Sequence, residues 1–191
     1  MNVKISLTKE EIEKELKWEN YKFRYVKILK STIYTLIVVS AIATIIASFV
    51  LSVLEINGSS MKPTLEEGEI VIAYKDKSIE TSDVVAFYQG NKILVKRVIA
   101  KPGSFVNIDD DGNIYVDGSL LSEPYIKEKT LGETDIEYPY QVPDGHYFVL
   151  GDDRDSSIDS RKKVIGAVSK ENILGKVVVS IWPLNKIGII K

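Results

Sequence analysis

From Ser31 to Leu54 the sequence STIYTLIVVSAIATIIASFVLSVL runs for 24 positions without a charged residue. At about 1.5 Å of rise per residue, a helix of that length crosses a hydrocarbon core of roughly 30 Å, so the run predicts a transmembrane helix. The apolar region of a cleaved secretory signal is shorter, about 7 to 15 residues, and a core helix of a soluble domain seldom excludes charge for so long. Ahead of the run, Thr8 followed by Glu11 fits a capping box, and Ile12 and Leu16 recur at helical spacing through KEEIEKELKWEN. This predicts a short charged helix leading into the span.

Beyond residue 69 the pattern changes to short β-branched and aromatic runs. They are EIVIAY (69–74), DVVAFY (83–88), KILVKRVIA (92–100), SFVNI (104–108), NIYV (113–116), HYFVL (146–150) and KVVVSIW (176–182). Turn residues separate them: Gln89-Gly90-Asn91, Asp111-Gly112 and Asp117-Gly118, the Asp-Gly pairs being ready formers of hairpin turns. The expected fold is mainly β, an antiparallel sheet domain after one N-terminal transmembrane helix. SKENIL (169–174) reads as a short helix started by Ser169 and closed by Gly175. Residues 123–140 have no period and read as a long excursion.

Charge adds an orientation. Residues 1–30 carry a net +3 and residues 55–191 a net −5. Lys22, Arg24, Lys27 and Lys30 stand just before the apolar run, so the positive-inside rule puts the N-terminus in the cytoplasm. The expected division is a cytoplasmic tail (1–30), a membrane anchor (31–54) and an extracytoplasmic domain (55–191). No basic stripe suggests nucleic acid. With no cysteine and one histidine, His146, thiol chemistry and thiolate zinc sites are excluded, and neither a metal nor a cofactor is expected.

Three segments carry candidate chemistry. In GSSMKPTLEEGEIV (58–71), Gly58 and Pro63 bracket a constrained turn of the kind that exposes a hydroxyl beside free backbone N–H groups, although a serine in such a loop is most often a turn residue. In LVKRVIAKPGS (94–104), strand alternation puts Leu94, Lys96 and Val98 on one face and Val95, Arg97 and Ile99 on the other, so only one of the two cations need be buried. A lysine titrates near 10.4, and to act as a base near neutrality it must fall by roughly 2 to 3 units, which apolar neighbours supply by desolvation. GDDRDSSIDSR (151–161) would ordinarily be a solvated loop or a Ca²⁺ site, but its two arginines weaken the metal reading.

Taken in order behind an N-in anchor, these segments resemble the type I signal peptidases, a Ser-Lys dyad family, in the short form typical of Gram-positive bacteria. The first resembles the family's nucleophile motif, a serine before Met-x-Pro-Thr-Leu; the second its general-base segment. The third resembles Gly-Asp-Asn-Arg-Asp-Asn-Ser-x-Asp-Ser-Arg, with Asp153 and Ser156 in place of the two asparagines. The resemblance implies a catalytic domain of signal peptidase type with Ser60 as nucleophile and Lys96 as general base. It implies that Ser157 hydrogen-bonds the lysine and that Asp159 and Arg161 form a supporting ion pair. It also implies shallow apolar pockets: Ile56, Leu65, Leu94 and Val95 near the first residue before the cut, Leu54, Val71 and Ala86 near the third, with Met61 also against the substrate.

The implied activity is membrane-bound cleavage of secretory preproteins after small residues of Ala-x-Ala type, through an acyl-enzyme. Partners are then preproteins and the lipid bilayer, at the cell membrane. Chain length agrees, since Ser60 lies six residues past Leu54 and an extended link keeps it within about 20 Å of the bilayer. Some family members take a second oxyanion donor from a serine two positions before the nucleophile, where this chain has Gly58. His146, after a Pro-Asp-Gly turn, reads as structural. The alternatives are a self-cleaving repressor-type protease, which has a DNA-binding N-terminus instead of an anchor, and an inactive membrane-tethered β module.

Overall fold

The computed structural model describes residues 8–75 and 78–190, which form two compact units, Met1–Phe49 and Val50–Lys191. The first is helical. A single helix, α1 (Lys9–Val50), joins the charged segment and the apolar run without a break. Thr8 starts it: its N–H and its hydroxyl both donate to a Glu11 carboxylate oxygen at 2.9 Å. None of its described side chains is buried, and its best 18-residue window has a mean hydropathy of 2.4, long and apolar enough to cross a membrane. The helix ends at Val50, so the last four residues of the uncharged run, Leu51 to Leu54, are not part of it. They open a strand instead, because their backbone pairs with residues 71–74.

The second unit is antiparallel β throughout. Its strands are β1 (Leu51–Glu55), β2 (Ile70–Tyr74), β3 (Val84–Gln89), β4 (Lys92–Ala100), β5 (Phe105–Ile108), β6 (Ile114–Val116), β7 (Ser119–Leu120), β8 (Tyr140–Gln141), β9 (His146–Leu150), β10 (Val168–Ser169), β11 (Ile173–Trp182) and β12 (Gly188–Ile189). Among the described residues they make one sheet in the order β1-β2-β11-β3-β4-β9-β10, with β12 on β11, and a smaller sheet β7-β6-β5-β8. SKENIL forms only a 3₁₀ turn, Lys170–Asn172, whose Glu171 N–H is capped by the Ser169 hydroxyl. Ile173 and Gly175 are drawn into β11 by pairing with Phe87 and Ala86, so Gly175 closes no helix.

The first four residues of β3 and the last five of β4 are buried on both faces. Along β3, Val84 and Ala86 enter a cluster with Ile56, Met61, Leu65 and Val71, while Val85 and Phe87 enter another with Val98 and Val149. Ile99 and Ala100 of β4 join a third cluster, with Val106, Ile114 and Phe148, that binds the small sheet to the large one. Alternation allowed one of Lys96 and Arg97 to reach solvent, yet Lys96 is 3% and Arg97 0% exposed, because loops cover the faces that strand alternation left open.

Candidate active site

Ser60 sits in the loop between β1 and β2, which is closed at its neck by Ile56 N–H to the Glu69 carbonyl and Gly68 N–H to the Ile56 carbonyl, both 2.8 Å. Inside it, Lys62 N–H donates to the Ser59 carbonyl and Leu65 N–H to the Met61 carbonyl, both at 2.9 Å. Met61 and Leu65 plug the core below, each worth about 1.5 to 3 kcal/mol of burial. Gly58 enters the turn at φ +91°, a conformation a side chain strains. The serine between these fixed points is thus held by backbone on both sides.

Lys96 reaches it from β4, with Nζ hydrogen-bonded to Ser60 Oγ at 2.6 Å. Burial pushes its pKa down to about 8, against the pull of Asp159 and with help from the Arg161 charge. Among the described residues Ser157 Oγ is buried without a hydrogen-bond partner, so the expected bond to Lys96 is not formed here. The hydroxyl is packed against Gly151, where a Cβ would meet it at 2.3 Å and the Ser60 carbonyl at 2.4 Å. Only a residue without a side chain lets the segment after β9 come this close to the serine.

That segment is built on ion pairs. Arg161 clasps Asp159 through Nε and Nη2, each at 2.9 Å, and Gly151 N–H donates to the same carboxylate at 3.0 Å. Two further buried pairs escaped the sequence reading. Arg97 grips Asp152 at 2.8 and 2.7 Å, donates to Thr64 Oγ1 at 3.2 Å and to the Ser82 carbonyl at 2.7 Å, and lies 3.8 Å from the Tyr125 ring centre. Arg154 pairs with Glu123, at the start of the excursion. A signal was present, since Arg97 adjoins Lys96 and Asp152 opens the acidic motif, but which acid meets which arginine depends on the fold. These pairs also remove Asp152 and Asp159 from any cation site.

A groove of about 710 Å³ ends at the serine and lysine. It is bordered by residues 53–58 on one side and 91–96 on the other. Among the described residues both borders are free strand edges: β1 pairs with β2 alone, and β4 pairs with β9 only from Arg97 onward. Of the eight candidate pocket residues, Leu54, Ile56, Met61, Leu94 and Val95 line the groove. Leu65, Val71 and Ala86 do not; each is fully buried in the cluster behind it. Val53, Asn57 and Ile93 line it unforeseen. His146 is remote in role, its Nδ1 2.8 Å from the Asp144 carbonyl and its backbone in β9 opposite Ser169.

Residues 29–182 match the family described as signal peptidase, peptidase S26. The chain therefore belongs to the signal peptidase family, and it is an enzyme, a hydrolase of the serine protease class. Among its relatives are signal peptidase I of Bacillus licheniformis, 32% identical over 188 residues that cover 92% of this chain and 96% of that one. Signal peptidase IB of Staphylococcus aureus is 34% identical over 180 residues, 84% of this chain and 93% of the relative. A crystal structure of a signal peptidase I from Enterococcus faecalis V583 is 31% identical, covering 52% of this chain and 96% of that chain with a TM-score of 0.43.

Proposed function

We propose that this protein removes signal peptides from secreted preproteins with a Ser60-Lys96 dyad. The observation that carries the reading is the 2.6 Å contact between Ser60 Oγ and the amine of Lys96, a residue 3% exposed, at the end of an apolar groove. With a pKa near 8, a substantial fraction of Lys96 is neutral at mildly alkaline pH. The neutral amine takes the proton of Ser60 as Oγ attacks the scissile carbonyl, and the amide nitrogen leaves protonated, giving an acyl-enzyme. Lys96 passes that proton to the leaving nitrogen, then takes one from water as the water oxygen attacks the ester carbonyl, and returns it to Ser60 Oγ as the acyl–Oγ bond breaks and the acid is released. The Ser60 backbone N–H is one oxyanion donor. Gly58 offers no hydroxyl for a second.

The free edges of β1 and β4 fit an extended peptide, read through its backbone as an added strand. The narrow apolar lining at Ile56, Leu94 and Val95 favours small residues before the cut. The test is cleavage of a preprotein by wild type, Ser60→Ala and Lys96→Ala, with the new N-terminus sequenced; both variants should lose activity by several orders of magnitude. Unchanged cleavage by Ser60→Ala removes the reading.

We further propose that α1 anchors the enzyme with its N-terminus in the cytoplasm and residues beyond Val50 outside, since four cations and no acidic residue lie between Glu19 and Ser31 and no charge lies from Ser31 to Leu54. Protease added to spheroplasts should digest the β unit and spare the N-terminal tail. Protection of the β unit would reverse the orientation.

A further inference from the structure

The groove includes Ser60 and Met61, and a second cleft of about 480 Å³ begins at the next residue, Lys62. Its walls are Lys62 and Pro63 of the serine loop, Lys127 and Lys129 of the excursion, and Asp153 and Asp155 after β9. The last wall is fastened to the first, because Asp153 N–H donates to the Ser60 carbonyl at 3.1 Å. The two clefts differ in chemistry: one has an apolar lining, while the other presents charge. Lys62, Lys127, Asp153 and Asp155 stand outside every ion pair among the described residues.

A chain cut at Ser60 has two halves, and if the apolar groove takes the part before the cut, the part after it must continue past Lys62. We infer that the charged cleft receives the first residues of the released chain, and that Lys62 and Lys127 make it favour an acidic side chain there over a basic one. This rests on the reading that Ser60 cleaves an extended preprotein. The two lysines stand on different walls of the cleft, yet both lie near enough to Glu66 for their charge to help hold its carboxyl below the usual range, behind the larger effect of Lys186. Glu66 does not neutralise them, since Lys186 holds it at 2.8 Å. Of the acids, Asp153 turns to its own loop, where Oδ1 accepts the Ser156 N–H at 3.3 Å. Glu128 and Asp155 remain as counter-charges, and they keep the preference modest.

The test uses the full chain in detergent and three preproteins identical up to the cut, with glutamate, glutamine or lysine as the second residue of the released chain. Wild type should cleave the glutamate substrate with a kcat/KM about fivefold above the lysine one, the scale of an exposed charge contact, and the gap should close in about 1 M salt. The double variant Lys62→Glu with Lys127→Glu should reverse the order. Lys62→Gln with Lys127→Gln should bring the glutamate and lysine substrates to equal kcat/KM. Equal kcat/KM for the glutamate and lysine substrates in wild type, or a preference that survives both double variants, overturns the inference while Ser60-dependent cleavage stands. Cleavage persisting in Ser60→Ala is the separate result that overturns the reading beneath it.

Discussion

In the proposed dyad, Lys96 is where this protein gives up stability for chemistry. Its native pKa, near 8, lies below the 10.5 of the open chain, so the native state binds the proton less well than the unfolded state. The cost is full below pH 8 and vanishes as pH rises through 10.5. At pH 7 it amounts to about 3 kcal/mol. Lys96→Met, of similar length without the charge, should therefore be inactive and yet raise the denaturant midpoint at pH 7, a gain that shrinks between pH 8 and 10.5. The activity of wild type should rise with pH through an ionisation near 8, measured as kcat/KM against pH. Lys96→Arg keeps the charge but cannot lose its proton, and should be as dead as Lys96→Ala. Gly58 makes an opposite case. At φ +91° a side chain is strained by about 1 kcal/mol or more, so Gly58→Ser should lower both Tm and kcat instead of supplying an oxyanion donor. A rise in kcat would show that the hydroxyl reaches.

At the scale of elements, the segment after β9 acts as a brace. Asp159 holds Arg161 and the Gly151 N–H, while Arg154 is tied to Glu123, and Gly151 rests against the Ser60 carbonyl. Asp159→Asn leaves a buried guanidinium without its counter-charge and should destabilise the fold by about 3 to 5 kcal/mol in denaturant titration. Gly151→Ala drives a methyl into two oxygens and should cost activity by displacing Ser60 even where the protein still folds, seen as a fall in kcat with native circular dichroism. Strands long enough to carry a pattern were legible in sequence: KILVKRVIA and HYFVL match β4 and β9 to the residue. So was the Asp117-Gly118 hairpin, whose two residues both take positive φ, 50° and 78°. β1 was hidden because its LSVL continues an apolar helix, and neither element needs a charge there. The two-residue strands β7, β8, β10 and β12 are too short to have a period.

At the scale of the molecule, what the sequence could not give is convergence. Arg97 looked like a strand residue with an open face, yet chain from positions 64, 82, 125 and 152 closes over it. Those partners lie up to 55 positions away, and no local window relates them. Lys96 is buried as well, where the loop after β1 brings Ser60 onto its amine. The motif residues were recognisable from their order along the chain, whereas the retreat of Leu65, Val71 and Ala86 behind the groove follows from the core cluster they form with Ile56 and Met61.

The two unpaired edges, β1 on one border and Lys92 to Lys96 of β4 on the other, have a consequence for how the enzyme ages and how it can be assayed. Open edges are sticky, and any extended chain that lies between them completes the hydrogen-bond ladder and locks two distant parts of the fold together. Occupancy and rigidity are therefore one quantity. A peptide that binds but is not cut, presented to Ser60→Ala, should raise stability by about 2.7 kcal/mol at a hundred times its Kd. Melting temperature then becomes a readout of sequence preference that requires no catalysis, and an idle enzyme, with both edges bare, is the form most prone to pair with itself.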